Sequence, residues 1–186
     1  MSRSIIISNF LLFQLGWFAC VLGGANQLGW LGSLLAISVI TWHLLRAQQP
    51  TAEIRLLLIA FAIGLLFESL LSLTGISQYS SGLVVEGFPP HWMVLMWPLF
   101  ATTLNVSMRW MKMLALPWVA LLAGLLAPAS YVAGQRLGAI SFNDTLLALS
   151  VIALGWAILF PLLITSAKRY NGYPESQTTS ALPLEN

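Results

Sequence analysis

The chain has 186 residues, of which 58% are apolar and only 8% charged, whereas a soluble domain carries about a quarter charged residues. A water-facing surface over most of the chain is excluded. The formal net charge of +2 rests on basic residues standing singly or in pairs at the ends of apolar runs, which is no nucleic-acid footprint. The mean hydropathy of +0.84 predicts an all-α, polytopic transmembrane bundle whose solvent is the lipid bilayer.

The first apolar run follows Met1-Ser2-Arg3-Ser4 and leads through Gly23-Gly24-Ala25-Asn26-Gln27 into a second. It is longer than the apolar core of a typical leader and reads as a span. Counting about 18 to 20 residues per crossing, at about 1.5 Å each, places six spans near residues 5–23, 28–45, 56–73, 91–108, 113–132 and 144–166. The joints at 24–27 and 109–112 are tight hairpins. Arg3, Arg46, Arg55, Arg109, Lys112, Lys168 and Arg169 fall on one side of this arrangement and Arg136 alone on the other. Because basic loops stay in the cytoplasm, both ends are expected inside, with 74–90 and 133–143 as the long outward segments. The bundle then occupies 1–168, and 169–186 reads as a disordered cytoplasmic tail with too little apolar surface to fold alone.

Polar residues within the runs are the candidates for chemistry. In the first span Asn9 leads into Gly16, Cys20 and Gly23, a seam of small residues that a second helix can approach closely; Gly29, Gly32 and Ala36 of the second span offer a compatible face. Gln14 lies off that seam and is a further polar-interior candidate. Glu68 is the one acidic residue well inside a span, about 18 Å along it. A mid-bilayer charge costs about 2.5–3.5 kcal/mol, so Glu68 needs a partner, a proton or a polar cavity. In the fourth span Thr102, Asn105 and Arg109 recur at i, i+3 and i+7, which on one helix forms a polar stripe facing the interior. Pro98 is expected to kink that helix. Trp17, Trp97 and Trp156 lie deep in their spans and need packing neighbours or a ligand. The segment from Pro128 to Phe142 is either the end of the fifth helix or re-entrant; as a helix it would align Tyr131, Gln135 and Gly138. Ser141-Phe142-Asn143-Asp144 reads as the cap of the last helix.

The inventory argues against several chemistries. His43 and His91 are the only histidines and belong to opposite ends of their spans, which does not suit a bis-histidine haem or a di-iron histidine box. Cys20 is the only cysteine. No phosphate loop, nucleophile elbow or dinucleotide fingerprint occurs, and neither metal nor cofactor is expected.

The stretches Asn9-Phe10-Leu11-Leu12-Phe13-Gln14-Leu15-Gly16-Trp17-Phe18-Ala19-Cys20, Pro89-Pro90-His91-Trp92, Leu99-Phe100-Ala101-Thr102-Thr103-Leu104-Asn105 and Gly134-Gln135-Arg136-Leu137-Gly138-Ala139 resemble an uncharacterised family of bacterial integral membrane proteins, domain of unknown function 2878. The resemblance extends to about residue 168. It implies a bacterial inner (cytoplasmic) membrane and no established activity.

Three functions fit the residues. The first is a bundle that handles a lipid or small apolar molecule in an interior built from Asn9, Gln14, Glu68, Thr102, Asn105 and Arg109. The second is a proton- or ion-coupled transporter titrating Glu68, and the third a non-catalytic assembly partner of a membrane enzyme, packing with it through small-residue seams. The partners expected are the lipid bilayer, a lipid or small apolar ligand, and a membrane protein partner or a second copy of the chain. Convergence of the polar residues on one cavity open to lipid favours the first, a path through both faces the second, and a fully packed bundle the third.

Overall fold

A computed structural model describes residues 2–173. Among them are six α-helices: α1 Arg3–Ala25, α2 Gly29–Arg46, α3 Pro50–Leu73, α4 His91–Ala101, α5 Leu116–Arg136 and α6 Thr145–Arg169. Four of these, α1, α3, α5 and α6, are long and apolar enough to cross a membrane. Along the helices the outer surface carries large apolar side chains, with Leu66 73%, Leu125 66% and Leu154 67% exposed, as lipid-facing side chains must be. The chain is an all-α helical membrane bundle.

Local signals account for the helix starts. Ser2 Oγ accepts from Ile5 N at 3.4 Å, and Asp144 Oδ1 from Leu147 N at 3.0 Å, each satisfying an otherwise unpaired amide. Helix α3 opens on Pro50, with Glu53 in its first turn, both residue types that suit a helix N-terminus. The predicted start near residue 56 is therefore too late, and Glu53 belongs to the helix rather than to a polar joint.

Helix α4 is the centre of the fold, in contact with α1, α2 and α3, while α5 packs on α6 and α6 on α3. The α1–α2 hairpin is as close as its small residues allow: a Cβ on Gly32 would lie 2.6 Å from Ala19 O and from Cys20 Cα. On α1, Gly16 makes room for Leu99 of α4.

The fourth span departs most from the sequence reading. Instead of running from 91 to 108, α4 stops at Ala101 and the chain continues as irregular turns to a short 3-10 turn at Arg109–Met113. Pro98 sits within α4, and the break falls after it. Thr102 Oγ1 and Thr103 Oγ1 donate to Leu99 O and Phe100 O, both at 2.7 Å, where short polar side chains compete with helix continuation. The i, i+3, i+7 stripe consequently does not exist as one helix face.

The two long segments on the far side from Arg46 and Lys168 are stitched together. Strands β1 Gln78–Tyr79 and β2 Ile140–Ser141 pair antiparallel, Gln78 opposite Ser141 and Tyr79 opposite Ile140. Helix α5 ends at Arg136, and Gly138 turns the chain into β2 with φ +84°, a conformation glycine adopts without strain. Segment 128–142 is thus a helix end followed by a strand, and Gly138 does not continue the face of Tyr131 and Gln135. At the other end, α6 runs to Arg169 and residues 170–173 fold back: Gln48 N and Gln49 N donate to Gly172 O at 2.9 and 3.1 Å. The expected disordered tail from 169 accordingly begins in packed structure, and its remainder from Pro174 onward lies outside the described residues.

Candidate functional site

Glu68 is fully buried on α3 and accepts hydrogen bonds from three elements. Its Oε1 receives Trp97 Nε1 of α4 at 3.0 Å and the Tyr131 hydroxyl of α5 at 2.5 Å, while Oε2 receives the Tyr79 hydroxyl of β1 at 2.7 Å. A carboxylate taken out of water needs such donors, and here they come from neutral groups. Burial and the neighbouring Glu68 together hold the Tyr79 phenol well above its ordinary value.

Aromatic packing fixes this geometry. Trp97 stacks on Trp156 of α6 with ring centroids 4.7 Å apart and 21° between planes, and Phe100 meets Trp156 edge-on at 5.5 Å. Phe67 of α3 meets Trp97 edge-on at 5.9 Å, in space that glycine leaves free: a Cβ on Gly155 would lie 2.3 Å from Phe67. Trp156 Nε1 reaches the Tyr131 hydroxyl at 3.5 Å.

In front of this cluster lies a cavity of about 300 Å³, at the lower end of ligand-pocket volumes, about 300–1,000 Å³. It is partly open and lies between α1, through Phe13 and Trp17, and α5, through Leu122, Ala127 and Tyr131, with Phe100 and Trp97 of α4 and Trp156 and Phe160 of α6 completing the wall. Its lining is overwhelmingly apolar and aromatic. Glu68 itself stays behind Trp97 and Tyr131.

A second polar group occupies the opposite end of the bundle. Buried Glu53 accepts from Asn105 Nδ2 and Gly172 N through Oε1, both at 2.7 Å, and pairs with His43 Nε2 through Oε2 at 2.7 Å. Asn105 also donates to Tyr170 O at 2.9 Å and accepts from Lys112 Nζ at 2.6 Å. Tyr173 closes the group by donating to His43 O at 2.5 Å. Outside the helices, burial depresses the Lys112 ammonium, opposed by Glu53 and assisted by Arg109 and Lys168.

The six residues singled out from sequence are thus divided. Asn9 is buried and holds the irregular segment after α4, donating to Thr102 O at 3.1 Å and accepting from Ser107 N and Oγ at 3.3 and 2.6 Å. Thr102 and Asn105 are buried in or beside that segment, and Arg109 begins the 3-10 turn. Glu68 stands apart at the cavity, and half-buried Gln14 joins neither group. Sequence reasoning missed Glu53 and His43, although Pro50 three residues before Glu53 was a legible helix start. It also missed Tyr79 and Tyr131 as the donors that Glu68 requires. Among the described residues no group of three or more His, Cys, Asp or Glu is placed to hold a metal.

Comparison with known proteins gives a family and nothing finer. The family model described as a protein of unknown function, DUF2878, matches residues 6–162, and the chain belongs to that family. No curated protein and no solved structure matches it.

Proposed function

We propose that this membrane protein binds a lipid or other small apolar molecule in the cavity between α1 and α5, admitting it sideways from the bilayer. The observation that carries the reading is the cavity itself: about 300 Å³, walled by aromatic and aliphatic side chains within the span region. An engineered apolar cavity of about half that volume stays dry and takes up benzene.

The rival readings draw less support. A proton-coupled transporter would need Glu68 to exchange protons with both sides, yet its three donors are supplied by packed groups and Trp97 and Tyr131 stand between it and the cavity. An assembly partner would need its small-residue seams free, but Gly32 and Gly16 are used within the chain against Ala19, Cys20 and Leu99. The wider setting is also a proposal: six crossings with both ends in the cytoplasm of a bacterial inner membrane, supported by the seven basic residues gathered at one end.

Native mass spectrometry of the protein released from nonionic detergent, together with solvent extraction of what co-purifies, tests the reading. Wild type is expected to retain an apolar species. Ala127→Phe, which fills the cavity from α5 at a half-buried position, is expected to lose it while keeping its helical circular dichroism. Equal retention by the two proteins, or none by wild type, would overturn the proposal.

A further inference from the structure

The Glu68 carboxyl is held by three hydrogen-bond donors, Tyr79, Trp97 and Tyr131, all of them neutral, and is a negative charge when ionised. Two of them, Trp97 and Tyr131, also form the cavity wall. Through these rings the charge bears on the cavity without being exposed in it.

The N–H groups of Trp17 and Trp110 also belong to the lining, but the polar groups around Glu68 turn their hydrogens away from the cavity. The Tyr131 hydroxyl and the Trp97 N–H both point their hydrogens at Glu68. Trp156 Nε1 points toward Tyr131 at 3.5 Å, and the remaining hydroxyl of the lining, Ser130, donates to Ala127 O at 2.8 Å. What these groups leave for a ligand is oxygen lone pairs and π faces. Ring faces carry the negative part of the aromatic quadrupole, and donating a hydrogen bond to a carboxylate adds electron density to the ring that donates. Aromatic cages of this kind recognise ammonium groups, most strongly when the site is desolvated.

We infer that the ligand of this cavity is a lipophilic organic cation, an amine or quaternary ammonium headgroup carrying an apolar chain. Phe13, Phe100, Trp156 and Tyr131 surround the headgroup, and the chain extends between α1 and α5. Glu68 is a positioning residue: it orients Trp97 and Tyr131 and supplies the charge that favours a cation over a neutral molecule of the same shape. The inference rests on the cavity being a ligand site, and it adds the class of ligand.

The test uses the whole chain in a nonionic maltoside micelle, with protein-free micelles as blank, and equilibrium dialysis of two probes: hexyltrimethylammonium and its uncharged all-carbon isostere. The expected result is that wild type prefers the cation by about tenfold or more, the scale of a desolvated cation–π contact. Glu68→Gln, which can still accept from Trp97 and Tyr131 through its carbonyl, is expected to bind the neutral probe as before and to lose most of the preference. Trp156→Leu, which removes a π face without touching Glu68, is expected to weaken the cation more than the isostere. Equal binding of both probes by wild type, or an undiminished preference in both variants, overturns the cation inference and leaves the cavity reading standing. Binding of neither probe overturns both.

Discussion

Trp97 lies across Gly64 so closely that a Cβ on the glycine would stand 2.1 Å from the indole Cγ. The absence of a side chain on α3 is what lets Trp97 of α4 reach Glu68, one turn further along α3. Gly64→Ala removes a helix-interior glycine, which by propensity alone would stabilise by about 1 kcal/mol. Here the contact decides the sign. The variant is expected to lose about 1–3 kcal/mol, the scale of an overpacked core, with a changed tryptophan emission as Trp97 is displaced. A raised melting temperature in detergent would mean that the close approach is not present.

The two tyrosine donors of Glu68 are held by different elements. Tyr131→Phe withdraws a hydroxyl packed inside the bundle on α5, whereas Tyr79→Phe withdraws one carried by the two-residue strand β1 outside the helices. Hydrogen bonds to charged groups contribute about 1.5–3 kcal/mol, so Tyr131→Phe is expected to fall in that range and Tyr79→Phe below it. Thermal unfolding of the two variants side by side checks the order, and a larger loss for Tyr79→Phe would contradict it.

Asn105 joins the irregular segment to α3, to residue 170 and to Lys112. Replacement by Leu removes one of the three hydrogen-bond donors to buried Glu53, leaving it His43 and Gly172, and takes the Oδ1 acceptor from half-buried Lys112. Interhelical hydrogen bonds in membranes contribute about 0.6–2 kcal/mol, and Asn105→Leu is expected at the upper end of that range. Asn105→Asp should be worse still, because it sets a second carboxylate against Glu53 at hydrogen-bond distance. Unfolding midpoints in detergent distinguish the two; an Asp variant as stable as wild type would refute the arrangement.

The proposed sidedness is open to labelling in a protein lacking Cys20. Gln48 and Ser80 are both exposed and lie at opposite ends of α3 and its loop. A membrane-impermeant maleimide added to intact cells is expected to modify Ser80→Cys and Asn143→Cys but not Gln48→Cys. The reverse pattern would invert the proposed orientation.

How much of this was legible in the sequence depends on how far a residue's partners lie from it. The apolar runs mark all six helices, and the Asp144 cap is local enough to be read within four residues. Glu68 is visible from its cost alone. Its partners are not, since Tyr79, Trp97 and Tyr131 lie 11, 29 and 63 positions away and no period connects them. The break after Ala101 is hidden for a different reason. An apolar run looks the same whether it continues as helix or turns irregular, and the residue that receives the irregular segment, Asn9, lies 93 positions from Thr102. Glu53 was within reach, because a proline followed by an acidic residue is a helix start even when polar neighbours suggest a loop.

Asn9 also gives the order of synthesis a physical meaning. An 11-residue helix spans about 16 Å, roughly half the hydrocarbon thickness of about 30 Å, and the turns that follow it carry amides and carbonyls that lipid cannot satisfy. Asn9 meets that need from α1, which is made before α4, so the receptor for the broken segment is already in place when the segment is made. A circularly permuted chain with α1 moved to the end would contain every native contact, yet its fourth apolar stretch would emerge with nothing to receive it. Such a chain should insert poorly while its finished fold, once reached, is as stable as the original.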